Sequence, residues 1–308
     1  MLIAFRKMVK NLRKIRHTLP IYSYNFTKIQ LIVSKLGIDI GGTNITLGLV
    51  NDNKLISSIQ VPSFEKEWNL ERTLSYLENR IDSVITPDVK GIGIGVPSVV
   101  DIRRGIVFDT ANIPSWQEVK LKDVLENKYG IPVMVNNDSN CYALGAYMTY
   151  SPDRRPESLV VMTLGTGVGM GIVIDGKLYC GAHCGAGELA CIPFKGMSLE
   201  EHCCKNFFIR AGLTPKEAYD RAVRGDKSAT ALFEEYGRNL GSAVCAILFA
   251  YDPQRVAIGG GIVKGGSLFR PAMMEYVRDR FPYRKTVEEL SVDIMNDDCL
   301  PVIGAASL

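Results

Sequence analysis

The amino-acid sequence predicts an α/β protein made of two related lobes with a ligand-binding cleft between them. Strand-like apolar runs alternate with stretches of helical periodicity along most of the 308 residues. Segments 37–60 and 160–178 share one pattern: a strand, a glycine turn, a second strand, another turn and a third strand. Gly41 corresponds to Gly165, and later matches pair Gly48, Asp52 and Lys54 with Gly171, Asp175 and Lys177. This recurrence predicts an internal duplication.

The first unit is predicted to alternate strands and helices of ordinary length. Its strands are LGIDI, ITLGLV, LISSIQV, VKGIGIGVP and IPVMVNND. A helix is predicted over NLERTLSYLENRIDSVI, because leucines and isoleucines recur there every three or four residues. A second helix, LKDVLENKYG, ends at Gly130, and a third begins in SNCYALGAYMTY.

The second unit opens with VVMTLGTGVGMGIVIDGKL and then becomes mainly helical, over 199–211, 214–224 and 226–251. The strand RVAIGGGIV, the helix SLFRPAMMEYVRDRF, the strand ELSVDIM and the start of a last helix in GAASL complete it. We therefore expect a basic extension outside the fold over 1–35 and a small lobe over 36–136. Residues 137–299 form the large lobe, and residues 300–308 return to the small one.

Charge is distributed unevenly along the chain. Residues 1–36 contain eight Lys and Arg and no acid, which leaves 28 bases and 33 acids in 37–308. The leader could bind nucleic acid or an anionic membrane, or act as a targeting peptide, but it shows no clear secretory signal. It is also too short for a complete helix-turn-helix domain. No apolar run reaches the roughly 18–20 residues that span a bilayer. We expect a cytoplasmic protein that binds neither nucleic acid nor membrane, with its eight cysteines free.

The turn Gly41-Gly42-Thr43-Asn44 is predicted to bind phosphate. A dinucleotide fingerprint requires G-x-G-x-x-G leading into a helix, whereas here the spacing differs and a strand follows. Backbone N–H groups of a hairpin turn can instead converge on phosphate oxygens, with glycine allowing positive φ and close approach. Asp39, two residues upstream, could face a hydrated Mg²⁺. The alternative is a structural hairpin beside a buried aspartate.

Two further glycine segments are candidates for the same ligand. Gly165-Thr166-Gly167 repeats the first turn, so two hairpins would hold a polyphosphate from both sides. Gly259-Gly260-Gly261 ends a strand, and its bare backbone could lie against a flat group such as adenine. The alternatives are close packing of the sheet in the first case and an ordinary strand-to-helix turn in the second.

Polar residues also stand where a strand gives way to a helix. Open α/β sheets bind ligands at the carboxyl ends of their strands, and Asp138 in NNDSN could accept a proton from an attacking hydroxyl there. The helix N-terminus is expected to lower the pKa of Asp138 and keep it ionised. The alternative is that Asp138 or Ser139 is only the helix N-cap. Glu188 could accept hydrogen bonds from sugar hydroxyls, or be an ordinary surface acid.

Together, the segments DIGGTN, GIGVPSVVD…TANIPSW, NNDSNCYALGA, LGTGVGMGIVIDGKL…GAGEL and AIGGGIV resemble the ROK family of sugar kinases and sugar-responsive repressors. The resemblance covers roughly residues 36–308. It implies two RNase H-like lobes of the actin/hexokinase-like ATPase fold, with a cleft that binds ATP, Mg²⁺ and a hexose or N-acetylhexosamine. It also implies a possible homodimer.

The resemblance assigns a role to each matching position. The phosphate loops are Asp39 with Gly41–Asn44, and Gly165–Gly167, while Gly259–Gly261 form the adenosine loop. Asp138 matches the catalytic base, and sugar hydroxyls are matched by Asn112, Asn137, Asp138, Glu188 and Asn206. Asn206 stands where the family has a glutamate, which changes the pocket around one hydroxyl.

The cysteine-rich segment departs from the family. The family places Gly-His after Glu-x and then a C-x-C-G-x-x-G-C-x-E run, which supplies a histidine and three thiolates to a structural zinc. This chain has Ala190-Cys191 and then EHCCKNFF. Four residues could in principle supply zinc ligands, namely Cys191, His202, Cys203 and Cys204. Adjacent Cys203 and Cys204 lack the usual knuckle spacing, however, so we predict that the zinc site is lost.

Three hypotheses for function remain open on the sequence. The first is an ATP-dependent, glucokinase-like sugar kinase, a phosphotransferase with an alcohol group as acceptor. The second is a sugar-sensing transcriptional regulator, although the leader is shorter than the winged helix of the family's regulators. The third is a sugar-binding protein that has lost catalysis, against which the retained Asp138 argues.

Overall fold

A computed structural model describes residues 34–308 of the chain. The basic extension predicted over 1–35 lies outside the described residues, except for Ser34 and Lys35, which already belong to the first strand. No helix within the described part of the chain is long and apolar enough to cross a membrane.

The first sheet is formed by residues 34–137. Its five strands are β1 (Ser34–Ile40), β2 (Asn44–Asn51), β3 (Lys54–Pro62), β4 (Val89–Val96) and β8 (Val133–Asn137). They lie in the order β3-β2-β1-β4-β8. Strands β1, β2 and β3 are antiparallel neighbours, whereas β4 and β8 run parallel to β1. A small sheet beside it contains β5 (Val99–Asp101), β6 (Ile106–Phe108) and β7 (Glu118–Val119).

The second sheet repeats the same arrangement later in the chain. Its strands are β9 (Ser158–Leu164), β10 (Val168–Ile174), β11 (Lys177–Leu178), β14 (Arg255–Gly259) and β15 (Ser291–Ile294). Their order is β11-β10-β9-β14-β15, the order of the first sheet with corresponding directions. A separate hairpin pairs β12 (Pro193–Phe194) with β13 (Met197–Ser198).

The second turn of each unit supports the duplication. Asp52 and Asn53 join β2 to β3, and Asp175 and Gly176 join β10 to β11, all four with positive φ. Two successive residues with positive φ form the type I′ turn that suits the twist of a hairpin. The two units therefore share their backbone geometry at the turn as well as their strand order.

The helices follow the predicted order with shifted ends. They are α1 (Leu70–Asp82), α2 (Leu121–Tyr129), α3 (Asp138–Thr149), α4 (Leu199–Cys203), α5 (Lys205–Arg210), α6 (Pro215–Val223), α7 (Lys227–Tyr251), α8 (Gly266–Arg280), α9 (Arg284–Glu289) and α10 (Leu300–Ala306). Gly130 ends α2 in the left-handed conformation, as its position after the helix predicts. Three 3₁₀ turns occupy Pro152–Arg154, Glu188–Cys191 and Gly261–Gly265.

Two helix predictions are wrong in detail. The single helix predicted over 199–211 is two short helices, because Cys204 has an extended backbone with φ −99° and ψ −175°. The last helix begins at Leu300 rather than in GAASL, with Pro301 in its first turn. Proline is tolerated there because its missing N–H has no partner within the helix anyway.

Helices α3 and α10 pack closely on the sheets. An added methyl group at Gly37 of β1 would collide with the carbonyl of Val302, and one at Gly93 of β4 with the carbonyl of Ala305. The same holds between the two helices, where Gly304 faces the carbonyl of Cys141. Helix α3 continues directly from β8 of the first sheet, while its other side lies against β10 of the second.

Candidate active site

A carboxylate pair lies at the carboxyl edge of the first sheet. Asp39 of β1 is in register with Gly95 of β4, and Gly95 with Asn136 of β8. Two residues later, Asp138 begins α3, and a methyl group at Gly95 would lie 3.3 Å from its Cα. Glycine at position 95 therefore lets the start of α3 approach the sheet, which brings Asp138 near Asp39.

Asp138 is not the helix cap that the alternative interpretation required. The Oδ1 atom of Asn137 accepts hydrogen bonds from the backbone N–H groups of Ser139 (2.9 Å) and Asn140 (3.3 Å), which makes Asn137 the N-cap. The N–H of Ser139 also donates to the carboxylate of Asp138, at 2.7 Å. Because the side chain of Asn137 accepts hydrogen bonds from the first N–H groups of α3, the carboxylate of Asp138 is not needed to cap the helix.

The expected lowering of the Asp138 pKa is wrong. Burial raises the pKa of Asp138 to about 6, hydrogen bonds from Ser139 oppose that rise, and the negative charge of Glu188 adds to it. The desolvation of this carboxylate raises its pKa by more than the helix N-terminus lowers it, because burial disfavours the charged form. A base with a pKa near 6 is ionised at neutral pH and still able to accept a proton.

Asp39 carries the same kind of perturbation. Burial, with the charge of Asp138 as the second cause, raises its pKa to about 7. Within residues 34–308, no positively charged side chain is among the causes that shift the pKa of either carboxylate. Hard oxygen donors are the ligands that Mg²⁺ prefers, commonly one or two carboxylates together with water and substrate phosphates. The donor set at this position therefore fits a hydrated Mg²⁺.

The first glycine turn is closed by a hydrogen bond from the N–H of Gly41 to the carbonyl of Asn44, at 2.9 Å. Gly42, Thr43 and Asn44 are exposed at its tip. Asn112 lies against this turn, because a methyl group at Gly42 would lie 3.1 Å from its side-chain nitrogen. The structure thus brings Asn112 from a distant loop to the first turn.

Buried residues hold the loop that carries Asn112. Trp116 is fully buried and donates from Nε1 to the hydroxyl of Thr73 on α1, at 2.8 Å. Its backbone N–H donates to the carbonyl of Ile113, which is also buried. Asn112 itself is exposed, while the buried side chains of Ile113 and Trp116 anchor the loop around it.

The second glycine turn has a similar closure. The N–H of Gly165 donates to the carbonyl of Gly167 at 3.0 Å, Thr166 is exposed, and the space beside Gly165 is open. Positive φ, which the sequence suggested for the glycines of the first turn, is absent at Gly41 and Gly42, and it is also absent at Gly165 and Gly167. Neighbouring atoms limit the space for a side chain at Gly41, Gly42 and Gly167, whereas the space beside Gly165 would admit one.

Two charged residues that sequence reasoning missed lie on the second turn. A carboxylate oxygen of Glu200 accepts from the N–H of Val168 at 2.9 Å, and it would lie 2.6 Å from a methyl group at Gly167. The ammonium of Lys205 donates to the hydroxyl of Thr166 at 3.3 Å. Both residues are more than thirty positions from the turn, so no local sequence signal could have placed them.

Helix α3 also approaches the second hairpin. The hydroxyl of Ser139 would collide with a methyl group at Gly169, and Ala143 with one at Gly171. Glycine at these two positions therefore leaves room for α3 against the second hairpin. The start of α3, with Asp138, consequently lies between the Asp39 strand and the second hairpin.

The three glycines of the third loop have different surroundings. A methyl group at Gly259 would collide with the ring of Tyr142. Gly260 has a φ of +93°, which residues other than glycine rarely adopt. Only Gly261 faces open space. It borders a cavity of about 250 Å³ that is lined by Pro215, Lys216, Tyr219, Phe233, Lys264 and neighbouring residues. This cavity, with its mainly apolar walls, could receive a flat base.

The sugar-binding candidates are only partly brought together. Glu188 is exposed in its 3₁₀ turn, and its charge acts on Asp138. Asn137 donates to the carbonyl of Ser98 at 3.3 Å, which joins it to the segment before β5. The amide of Asn206, in contrast, donates to Glu201 at 3.0 Å, and within residues 34–308 none of its hydrogen bonds reaches Asp138 or Glu188.

A thiol pair lies beside the loop that leads to Glu188. The amide nitrogen of Asn140 donates to Cys180 at 3.5 Å and to Cys184 at 3.7 Å, and both thiols also contact Asn136. Burial raises the pKa of each thiol. The loop from 181 to 184 also borders a cavity of about 710 Å³, whose other wall is the β5–β6 hairpin.

The segment that holds zinc in the family has a different support here. Lys195 donates to the side chain of Asn239 at 2.7 Å, and the ring of Phe194 packs edge-on against His202. Cys203 is fully buried, and Tyr236 donates to its carbonyl at 2.6 Å. In the part of the chain that the structure describes, no three His, Cys, Asp or Glu side chains converge as metal ligands. These residues do not fit a zinc tetrahedron, and loss of zinc stays a prediction.

Similar proteins share this architecture. The ROK glucokinase of Streptomyces griseus, solved with glucose and AMPPNP, matches with a TM-score of 0.74 and 25% identity, over 89% of this chain and 98% of that one. Two sheets of the same order around a carboxylate pair and two glycine turns define a protein of the actin/hexokinase-like ATPase fold.

The particular family follows from the sequence profile. The profile of the ROK family matches residues 35–308, and this chain belongs to that family. Curated relatives include the glucokinase of Halalkalibacterium halodurans, 26% identical over 89% of this chain and 94% of that protein. The N-acetyl-D-glucosamine kinase of Aliivibrio salmonicida is 29% identical over 73% and 83% of the two chains. The xylose repressor of Caldicellulosiruptor bescii is 26% identical over 80% and 70%.

Proposed function

We propose that this protein is an ATP-dependent sugar kinase, which transfers the γ-phosphate of ATP to a hydroxyl of a hexose or N-acetylhexosamine. The observation that carries this proposal is the position of Asp138, a carboxylate with a raised pKa between Asp39 and the second glycine turn. Likeness to kinases of glucose and of N-acetylglucosamine supports the acceptor class.

The nucleotide would lie along the second lobe. Its base would enter the cavity beside Gly261, and its phosphates would extend between the turns at Gly41–Asn44 and Gly165–Gly167. Backbone N–H groups and the hydroxyls of Thr43 and Thr166 are the donors available to phosphate oxygens there. Asp39 would hold Mg²⁺ through water, and bound Mg²⁺ supplies neutralisation of phosphate charge.

The acceptor sugar would lie where Asn112, Asn137 and Glu188 surround Asp138. Asp138 accepts the proton of one sugar hydroxyl, and that oxygen attacks the γ-phosphorus. The bond from the γ-phosphorus to the bridging oxygen of ADP breaks in line with the attack, and ADP leaves. In such reactions the protein mainly positions groups and stabilises charge. A correctly placed carboxylate, that of Asp138, would therefore suffice as the base.

The test is release of ADP from Mg-ATP across a panel of hexoses and N-acetylhexosamines. We expect one sugar to stimulate release and its phosphorylated product to appear in equal amount by mass spectrometry. A folded protein that binds ATP and releases ADP at the same rate with every sugar and with none would contradict the proposal.

A sugar-responsive regulator is the second candidate, and the likeness to a xylose repressor favours it. A regulator would bind a sugar without turning over ATP. Calorimetric titration with the same panel separates the two functions, since sugar binding without ADP release supports the regulator or a kinase-dead sugar-binding protein.

A further inference from the structure

Lys205 is attached to the second glycine turn at two points. Its backbone N–H donates to the carbonyl of Gly165 at 3.0 Å, which fixes the start of α5 on the turn. Its ammonium donates to the hydroxyl of Thr166 at 3.3 Å. The lysine side chain therefore extends over the turn toward its exposed tip, where Thr166 faces solvent.

This ammonium has no carboxylate partner among residues 34–308. The nearby acids are otherwise engaged: Glu201 pairs with Arg210 at 2.7 Å, and Glu200 accepts the N–H of Val168. An ammonium has three N–H donors, and only one of the three has a hydrogen-bond partner among residues 34–308. Two donors remain available to a ligand at the tip of the turn.

We propose that Lys205 binds the phosphate chain of the nucleotide at the second glycine turn, which rests on the kinase function proposed above. The ligand chemistry is that of the β- and γ-phosphates of a nucleoside triphosphate. Charge-assisted contacts from an ammonium to phosphate oxygens are stronger than the neutral contacts that the turn offers alone. Lys205 thus supplies the second turn with a positive charge that its three residues, Gly165–Gly167, lack.

The competing explanation is local charge balance. The carboxylate of Glu200 lies against Gly167, and Lys205 could serve only to offset it and to orient Thr166. In that case the loss of the ammonium would alter stability without regard to the phosphates of a ligand. A comparison of ligands that differ only in phosphate number separates the two explanations.

The experiment titrates the full chain with MgADP and with AMP by calorimetry, for the wild type, Lys205→Met and Lys205→Arg. We expect Lys205→Met to weaken MgADP binding by about ten-fold or more, as for loss of a hydrogen bond to a charged group. AMP, which lacks the β-phosphate, should bind equally to both. Lys205→Arg keeps the charge and should recover part of the loss. Lys285→Met, an exposed lysine on α9, is the matched control.

Unchanged MgADP affinity in Lys205→Met, or an equal loss for MgADP and AMP, would overturn the inference. If Lys205→Met melts far below the wild type, Lys205→Gln replaces it in the same titrations. A wild type that phosphorylates a sugar while its variants keep full MgADP affinity would leave the kinase function standing and remove only the role of Lys205. A wild type that binds no MgADP would refute the kinase function itself.

Discussion

Asp138 and Asp39 are costly residues in energetic terms, because each carboxylate is desolvated and lies close to the other. Burial is the first cause of both raised pKa values. A carboxylate whose pKa is strongly shifted by burial and by a neighbouring charge is a candidate for a functional site. The pair therefore has the properties expected of a site that is completed by a cation and a substrate.

Replacement of Asp138, the proposed base, tests the site most directly. Asp138→Asn keeps the shape of the side chain and removes its ability to accept a proton. We expect turnover to fall by about 10²–10⁴-fold, the usual contribution of a general base, while sugar affinity stays within a few-fold. Initial rates with Mg-ATP and calorimetric titration with the same sugar check both expectations. Unchanged turnover would show that Asp138 is not the base.

The raised pKa of Asp39 predicts a specific dependence of stability on pH. In the folded protein Asp39 holds its proton up to about pH 7, whereas in the unfolded chain it loses it near 3.8. The folded state thus binds more protons between those values, and its stability falls as pH rises through that window. Asp39→Asn should therefore stabilise the protein by about 1–3 kcal/mol at pH 8, given about 1.4 kcal/mol for each pKa unit.

The difference should shrink toward pH 5, where Asp39 of the folded wild type is protonated. Urea denaturation at pH 5 and pH 8 in metal-free buffer measures it. Asp153→Asn removes an exposed carboxylate and is the control. Equal stability of Asp39→Asn and wild type at pH 8 would show that Asp39 is not held in a desolvated state.

At the scale of elements, features with a local sequence pattern were predictable, and features that depend on packing were not. The turn at 41–44, the strand β1 and the cap at Gly130 were predictable, because their patterns are local. The break at Cys204 was not, since the helical pattern continues across it and tertiary packing decides. The placement of Lys205 on the Gly165 turn depends on a contact between residues that are distant in sequence, which a periodic pattern cannot predict.

Gly304 tests the packing of α10 on α3. A methyl group there would collide with the carbonyl of Cys141 and lie 2.6 Å from the backbone nitrogen of Gly145. Gly304→Ala should destabilise the protein by about 1–3 kcal/mol through overpacking, even though alanine is favoured in helices by about 1 kcal/mol. The midpoint of urea unfolding measures this. Gly185→Ala is the control, because a methyl group there meets open space and should leave the midpoint unchanged. Equal midpoints for Gly304→Ala and Gly185→Ala would contradict the close packing of α10 on α3.

The loop at 191–206 supports a prediction about metal content. Its hairpin, the Lys195–Asn239 bond and the buried Cys203 leave no convergent ligand set in the described residues. Protein purified without chelator should therefore contain well under one zinc per chain, measured by plasma mass spectrometry. Stoichiometric zinc, lost together with stability on dialysis against chelator, would contradict it. The sequence showed the altered cysteine spacing, but not the Lys195–Asn239 contact or the burial of Cys203.

At the scale of the whole molecule, the last helix connects parts of the fold that are far apart in sequence. Helix α10 packs through its backbone against β1 and β4 of the first sheet, and against α3, which also touches the second hairpin. Nearly all of its residues are buried. The shared strand order of the two sheets was predictable from the duplication in the sequence. The burial of the last helix was not, because a seven-residue apolar segment does not reveal which elements it packs against.

Removal of residues 299–308 is therefore expected to abolish cooperative folding. Burial of Leu300, Val302 and Ile303 with two alanines contributes roughly 6–10 kcal/mol by apolar area, while a typical domain has only about 5–15 kcal/mol of net stability. Thermal unfolding followed by circular dichroism should show no cooperative transition in the truncated chain. A truncated chain that melts cooperatively at the midpoint of the intact chain would show that α10 is not needed for cooperative folding.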